Sequence, residues 1–135
     1  MSIKKISISN FRCFDSVDLE FSELNNFIHG ANGSGKTSVL EALYFCSTGR
    51  SFKSSNKNLC IQNDKEAFKI QIDTFDNNKI CILKEAKKSI SLEINEVKQP
   101  QLSFLEQFLL RFLIIKHSPC LQIHQNTEEK YSIDA

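Results

Sequence analysis

Residues 30–37 are the part of the sequence best suited to chemistry. They read Gly-Ala-Asn-Gly-Ser-Gly-Lys-Thr and fit the pattern G-x-x-x-x-G-K-[ST] at every fixed position. Gly30, Gly33 and Gly35 allow positive φ angles and a close approach of the backbone to an anion. The successive N–H groups of such a loop form an anion-binding nest. The motif therefore predicts a site for the phosphates of a nucleotide.

The two residues that close the motif have side chains suited to a triphosphate and its metal ion. Lys36 is predicted to neutralise charge on the β- and γ-phosphates, and the Thr37 hydroxyl is predicted to bind Mg²⁺. The alternative is a chance match, a glycine turn that happens to precede a helix. The flanking elements favour the nucleotide loop, because an apolar strand precedes it and an amphipathic helix follows it.

The elements next to the loop follow from local patterns. Phe27 and Ile28 predict a short buried strand that runs into the loop. From Lys36 onward apolar residues fall on one helical face, which predicts a helix that ends near Thr48. Gly49 is then expected to cap its C-terminus.

Alternating apolar residues predict most of the remaining structure. Two N-terminal strands, around residues 3–8 and 17–21, are separated by a turn at 10–16. Three further strands, around 68–72, 80–82 and 90–94, predict an antiparallel meander. Residues 50–58 are expected to be an exposed basic loop. Helical spacing over 102–109 predicts a second helix, and 112–115 a further short strand.

Composition limits the classes of function. The chain has 135 residues, a net charge of +1, eleven Phe and no Trp, so a Phe-rich core is expected and any nucleic-acid surface must be a local patch. Its five cysteines are scattered without a C-x-x-C pair, which argues against a metal site and for a reducing compartment. No secretory leader or membrane-length apolar run occurs, so a cytoplasmic protein without a membrane partner is expected.

The sequence also resembles a known family. "FIHGANGSGKTSVLEALYF" closely resembles the nucleotide loop of the RecF family, bacterial DNA replication and repair ATPases of the ABC/SMC type. Upstream, "ISNFRCF" looks like the family's strand and N-F-R turn, and downstream "STGRSFKSS" looks like its G-R-S-F-R loop. The likeness covers the N-terminal portion of the family. It is strong over residues 1–55 and looser to about 115.

The resemblance implies a fold class and a division of the chain. The fold is expected to be α/β, a P-loop NTPase of the ABC-ATPase head type, with a mixed sheet and an antiparallel β subdomain. Within an N-terminal nucleotide-binding lobe over 1–135, we expect a P-loop core at 1–58 and a β meander at 59–98. A helix, a strand and a poorly defined tail are expected at 99–135.

The resemblance also assigns residues to ATP. Arg12, in the N-F-R turn, is expected to reach the nucleotide, although a solvated turn arginine is the plainer interpretation. The residues expected to line the triphosphate are Gly30, Ala31, Asn32, Gly33, Ser34, Gly35, Lys36, Thr37 and Ser38.

A second surface is implied for DNA. Arg50, Lys53 and Lys57 lie in the loop that faces DNA in a RecF-like head, where they would contact phosphates without reading bases. From composition alone, a solvated basic loop needed for solubility is the favoured interpretation.

Several family motifs are not found in the sequence. There is no signature motif, no apolar run ending in Asp-Glu, and no convincing glutamine-loop residue, Gln122 and Gln125 having poor context. We therefore expect a truncated lobe that binds ATP and hydrolyses it poorly.

The functional prediction is an ATP-dependent protein of DNA replication and recombinational repair. It would bind DNA at single-stranded/double-stranded junctions through ATP-driven dimerisation of heads, with recombination mediator proteins as partners by family resemblance. An SOS-response role is expected on the same basis. The alternatives are an inactive RecF fragment and the head of another SMC- or ABC-type ATPase.

Overall fold

The main element of the described part of the chain is an antiparallel sheet. The structure is a computed structural model, and it describes residues 3–24 and 26–99. The strands are β1 (Ile3–Phe11), β2 (Phe14–Glu20), β3 (Ala67–Thr74), β4 (Lys79–Glu85), β5 (Ser91–Ile94) and β6 (Val97–Lys98). They lie in the order β2-β1-β3-β4-β5-β6, and each neighbouring pair is antiparallel.

The meander follows from side chains that alternate between the two faces of the sheet. In β3, Phe68, Ile70 and Ile72 are buried while Lys69 and Gln71 are exposed. The strand register places buried residues of neighbouring strands side by side, since Ile70 lies opposite Ile82 in β4 and Ile8 in β1. A shift of one residue would move every buried side chain to the solvent face, so this alternation also fixes the pairing. The three predicted meander strands are confirmed as β3, β4 and β5.

One α-helix packs on the buried face. Helix α1 spans Lys36–Thr48, as predicted, and ends at Gly49 with a left-handed φ of 62°. The Gly49 N–H donates to the Phe45 carbonyl at 2.7 Å, which satisfies a carbonyl group of the last turn. A 3-10 helix at Lys57–Cys60 lies in the segment that was expected to be loop.

Three phenylalanines join the helix to the sheet. Phe11 of β1, Phe45 of α1 and Phe68 of β3 are each fully buried. Ring centroids lie 5.0 Å apart for Phe11–Phe68, 5.1 Å for Phe45–Phe68 and 6.4 Å for Phe11–Phe45, all edge-to-face. Each buried ring stabilises the fold by about 1.5–3 kcal/mol. The expected Phe-rich core is confirmed, and it fixes α1 beside the end of β1.

Some predictions differ from the structure. The turn after β1 is shorter than the predicted 10–16, because β1 extends through Phe11 and β2 begins at Phe14. Phe27 forms an isolated bridge instead of the predicted two-residue strand. The second helix, the strand at 112–115 and Gln122 and Gln125 lie outside the described residues.

The two N-terminal strands and the meander share one sheet, because β1 pairs with β3. The division at 58/59 therefore separates strands of a single sheet, and it falls inside the 3-10 helix Lys57–Cys60. We keep 1–58, 59–98 and 99–135 as a proposed organisation of the chain.

Candidate functional site

The glycine loop adopts backbone angles that favour glycine. The φ angles of Gly30, Gly33 and Gly35 are 154°, 83° and 91°. A Cβ on Gly35 would lie 2.5 Å from the Phe14 ring and 3.3 Å from Cys13 Sγ. The loop is therefore seated directly on the β1–β2 turn, and a side chain at position 35 would push it away.

The loop ends at an open helix N-terminus. Gly35 is the N-cap of α1, it supplies no side-chain cap, and the first turn contains no acidic residue. The first N–H groups of a helix have no intrahelical acceptor, and the helix dipole places partial positive charge there. Such an end is suited to an anion.

Side chains in the loop add cationic and polar groups to this end of the helix. Lys36 Nζ donates to the carbonyl oxygens of Gly30 and Ala31, both at 2.6 Å. The ammonium group is thus held against the first half of the loop. Ser34 Oγ is buried and has no hydrogen-bond partner among the described residues.

These features fit a polyphosphate. An orphaned hydroxyl, an ammonium group and uncapped amides supply donors, and a phosphate supplies acceptors. Thr37 is exposed, so its hydroxyl is accessible to a metal ion on the same side of the helix. The structure thus brings residues 30–38 together in one loop and helix start, and their roles toward ATP and Mg²⁺ remain a prediction.

A buried carboxylate lies directly behind the site. Glu41 of α1 is fully buried and accepts hydrogen bonds from Arg12 Nη2 at 2.6 Å and Arg12 Nε at 3.0 Å. The Ser51 hydroxyl also donates to it, and the Cys60 thiol approaches at 3.8 Å. One acid therefore connects α1, the β1–β2 turn and the segment after α1.

The partners of Glu41 set its ionisation. Burial alone would raise the pKa of the carboxyl, but hydrogen bonds from Arg12 and Ser51 and the charge of Arg12 outweigh it. The pKa of Glu41 consequently lies below its ordinary value. The same contact raises the pKa of Arg12. The pair is therefore an ion pair at neutral pH.

Arg12 is committed to this network. Besides the two bonds to Glu41, its Nη1 donates to the Leu59 carbonyl at 2.7 Å. Within the described residues, three of its five N–H donors are used, and the other two can serve another ligand. The turn itself is fixed by bonds from the Arg12 amide to the Cys60 carbonyl and from the Gln62 amide to the Asn10 carbonyl. A nucleotide contact by Arg12 stays a prediction.

The predicted DNA residues lie in a segment that is anchored at both ends. Arg50 is exposed, whereas Lys53 Nζ lies 3.7 Å from a Glu41 oxygen. Lys57 begins the 3-10 helix, and the buried Lys84 holds that helix by donating to Asn58 Oδ1 at 2.9 Å. Their contact with DNA stays a prediction.

The sequence patterns assigned no role to Glu41. Its partners lie far away in the chain, with Arg12 29 residues before it and Ser51 ten residues after it. A local signal was nevertheless present. Phe45 follows Glu41 at the i+4 spacing, so the acid shares a helical face with an apolar residue.

Two kinds of feature do not occur in residues 3–24 and 26–99. That part of the chain holds no helix of the length and apolarity needed to cross a bilayer. It also contains no group of His, Cys, Asp or Glu residues placed to hold a metal ion.

Comparison with known proteins places the chain in a family. The family described as "AAA domain" matches residues 5–133. The chain belongs to the AAA domain family.

Curated relatives of the chain carry the name DNA replication and repair protein RecF. The protein of Shewanella frigidimarina is 38% identical over 112 residues, which is 81% of this chain and 31% of the relative. The protein of Mannheimia succiniciproducens is 50% identical over 68 residues, or 50% of this chain and 19% of the relative. The chain thus spans less than a third of these relatives. The predicted resemblance to the N-terminal portion of RecF is confirmed.

Solved structures agree with this AAA domain assignment. The recombination mediator RecF–ATP structure of the RecFOR pathway has a TM-score of 0.66 and 31% identity, covering 74% of this chain and 28% of that one. A structure on ATP-driven dimerisation of SMC ATPases has a TM-score of 0.67 and 21% identity, covering 84% and 78%, and shows the fold alone. The predicted fold class, an α/β P-loop NTPase of the ABC-ATPase head type, is confirmed.

Proposed function

We propose that this chain binds ATP and uses it to control binding to DNA in replication and recombinational repair. The observation that carries the proposal is the loop at 30–37, which combines left-handed glycines, an uncapped helix start and an orphaned Ser34 hydroxyl. The role in DNA replication and repair is taken from the name of the RecF relatives. For this chain it is part of the proposal.

The chain's own residues would act on the triphosphate by position and charge. Amides of the loop and of the first turn of α1 donate to phosphate oxygens. Lys36 moves its ammonium group from the Gly30 and Ala31 carbonyls onto the β- and γ-phosphates. The Ser34 hydroxyl gains the acceptor that it otherwise lacks.

Thr37 is the residue that would hold the metal ion. Mg²⁺, when bound, would neutralise charge between the β- and γ-phosphates. The Thr37 hydroxyl would orient it from the first turn of the helix. Arg12, kept in place by Glu41, would direct its two remaining donors toward the nucleotide.

The proposed contact with DNA is made by residues 50–58, which we call the basic segment. Arg50, Lys53 and Lys57 would contact phosphates, which gives affinity that depends on salt and little on sequence. ATP would favour dimerisation of two copies of this nucleotide-binding lobe. The affinity for a single-stranded/double-stranded junction would therefore depend on bound ATP. Hydrolysis by this chain is expected to be poor.

The test is ATP-stimulated retention on a fluorescently labelled gapped duplex, followed by anisotropy. We expect ATP to raise the DNA affinity about 5- to 100-fold. The affinity should fall steeply between about 50 and about 200 mM salt. Lys36→Ala should abolish the effect of ATP, and Lys79→Ala, which removes an exposed lysine from β4, should leave it intact. The proposal is wrong if ATP binds without changing the DNA affinity.

A further inference from the structure

Two aromatic rings lie on the surface beside the basic segment. Tyr44 of α1 is 37% exposed and Phe52 is 49% exposed. Their centroids are 5.5 Å apart with an interplanar angle of 73°, an edge-to-face contact. Phe11, Phe45 and Phe68, in contrast, are fully buried in the core. Within residues 3–24 and 26–99, the pair therefore presents aromatic surface that does not belong to the core.

The position of Phe52 is fixed by its neighbours. The Ser51 hydroxyl bonds to the buried Glu41, and it accepts the N–H groups of Lys53 at 2.9 Å and Ser54 at 3.2 Å. Ser51 and Lys53 are the chain neighbours of Phe52, so this turn fixes the backbone that carries the ring, and Tyr44 contacts the ring itself. A ring that is already ordered loses little entropy when a ligand binds.

The charge around the rings is positive. Arg50 and Lys53 flank Phe52, and residues 50–58 contain three basic residues and no acidic residue. Glu41 is a carboxylate bonded to this segment; it is buried and paired with Arg12, and Lys53 Nζ lies 3.7 Å from one of its oxygens. Exposed aromatic faces next to cations match a polyanion with flat apolar groups better than they match an apolar protein surface.

We propose that Tyr44 and Phe52 form a stacking platform for unpaired bases of single-stranded DNA. Arg50 and Lys53 would contact the phosphates on either side of the stacked base. Duplex DNA covers the faces of its bases, so the platform would distinguish the unpaired side of a junction from the paired side. This inference deepens the proposed function and rests on it for the identity of the polyanion.

The tyrosine content of the chain allows a direct test. The sequence has no Trp and only two Tyr, at positions 44 and 131. In a Tyr131→Phe background, emission therefore reports Tyr44 alone. We expect oligothymidylate of about 20 nucleotides to quench this emission, because a stacked base contacts the ring. An abasic oligomer of the same length has the same phosphates and should leave it unchanged.

Affinities for the same two oligomers distinguish the contribution of the aromatic rings to binding from that of the basic side chains. Phe52→Ala should weaken oligothymidylate binding about 5- to 100-fold and leave abasic binding unchanged. Lys53→Ala should weaken both alike. Phe52→Tyr should retain the base preference and Phe52→Leu should lose it. Val97→Ala, at an exposed apolar site on β6, is the matched control and should change neither.

Several outcomes would overturn the platform. Equal affinity of the unaltered chain for both oligomers would do so, as would Phe52→Leu binding as well as the unaltered chain. Sedimentation showing two copies that associate through Phe52 would make the surface a protein interface instead. ATP binding is measured in parallel by calorimetry. If ATP binds and no base preference appears, only the platform fails; if no ATP binds, the proposed function fails whatever the oligomers show.

Discussion

Glu41 is the individual residue on which the site depends most. A buried carboxylate is costly unless it is paired, and here Arg12 pairs with it through two hydrogen bonds while Ser51 adds a third. Removal of Glu41 or of Arg12 leaves the other member of the pair without its hydrogen bonds to it. The acid therefore holds the N-F-R turn and the basic segment against the helix that begins at the glycine loop.

Replacement of Glu41 should destabilise the fold strongly. We expect Glu41→Ala to lower the free energy of unfolding by about 2–4 kcal/mol, because it leaves Arg12 and Ser51 without their acceptor. Glu23→Ala, at an exposed site, should change it by no more than about 0.5 kcal/mol. Urea unfolding followed by circular dichroism measures both. Equal stabilities of the two variants would show that the Glu41 network contributes nothing.

The same pair predicts a dependence on pH. The pKa of Glu41 is lower in the folded chain than its ordinary value of 4.5. Its stabilisation is therefore complete above about pH 4.5 and is lost as pH falls through the folded pKa. The stability gap between the unaltered chain and Glu41→Gln should narrow as pH falls from about 4.5 to about 3. A gap that stays constant over this range would contradict the ion pair.

Among the elements, the glycine loop depends on the strand turn beneath it. Gly35 joins α1 to the loop and packs on Phe14, the first residue of β2. Gly33 has a similar left-handed φ, but a Cβ there would meet nothing within 4 Å. The two glycines thus share backbone strain and differ in packing.

This difference gives a matched pair of variants. Both Gly33→Ala and Gly35→Ala incur the cost of a left-handed alanine. Gly35→Ala also drives a methyl group into the Phe14 ring, so it should lose about 1–3 kcal/mol more stability and bind ATP less well. Thermal unfolding and ATP titration of the two variants measure this. If Gly33→Ala proves equally harmful, the contact with the turn does not support the loop.

The elements also show which structural features a sequence reveals. Helix α1 and strands β3 to β5 were predictable because one face of each is buried, which imposes a period of 3.6 or 2 on nearby residues. The 3-10 helix at Lys57–Cys60 was not. Its cap, the bond from the Asn58 amide to Asn56 Oδ1, is local, but the contact that ties it to the sheet comes from Lys84 of β4. A segment held by distant side chains carries little local pattern.

At the level of the whole molecule, pairing between distant segments escaped prediction. The alternation of β1 and β3 marks each as a strand, but nothing local states that Ile8 lies opposite Ile70. The glycine loop at 30–37 was recognisable from particular residues at fixed spacing, and its role toward phosphate stays a prediction. The Arg12–Glu41 contact was not, since it appears only when the sheet brings the β1–β2 turn to the helix.

The central claim concerns the main chain and side chains of residues 30–38 as a whole. It is tested most directly by titrating the chain with ATP and Mg²⁺ in a calorimeter, beside Lys36→Ala and the Lys79→Ala control. We predict saturable binding of one ATP per chain, lost or weakened at least about 10-fold in Lys36→Ala and unchanged in Lys79→Ala. Absence of saturable binding to the folded chain, or equal affinity in Lys36→Ala, would contradict the account.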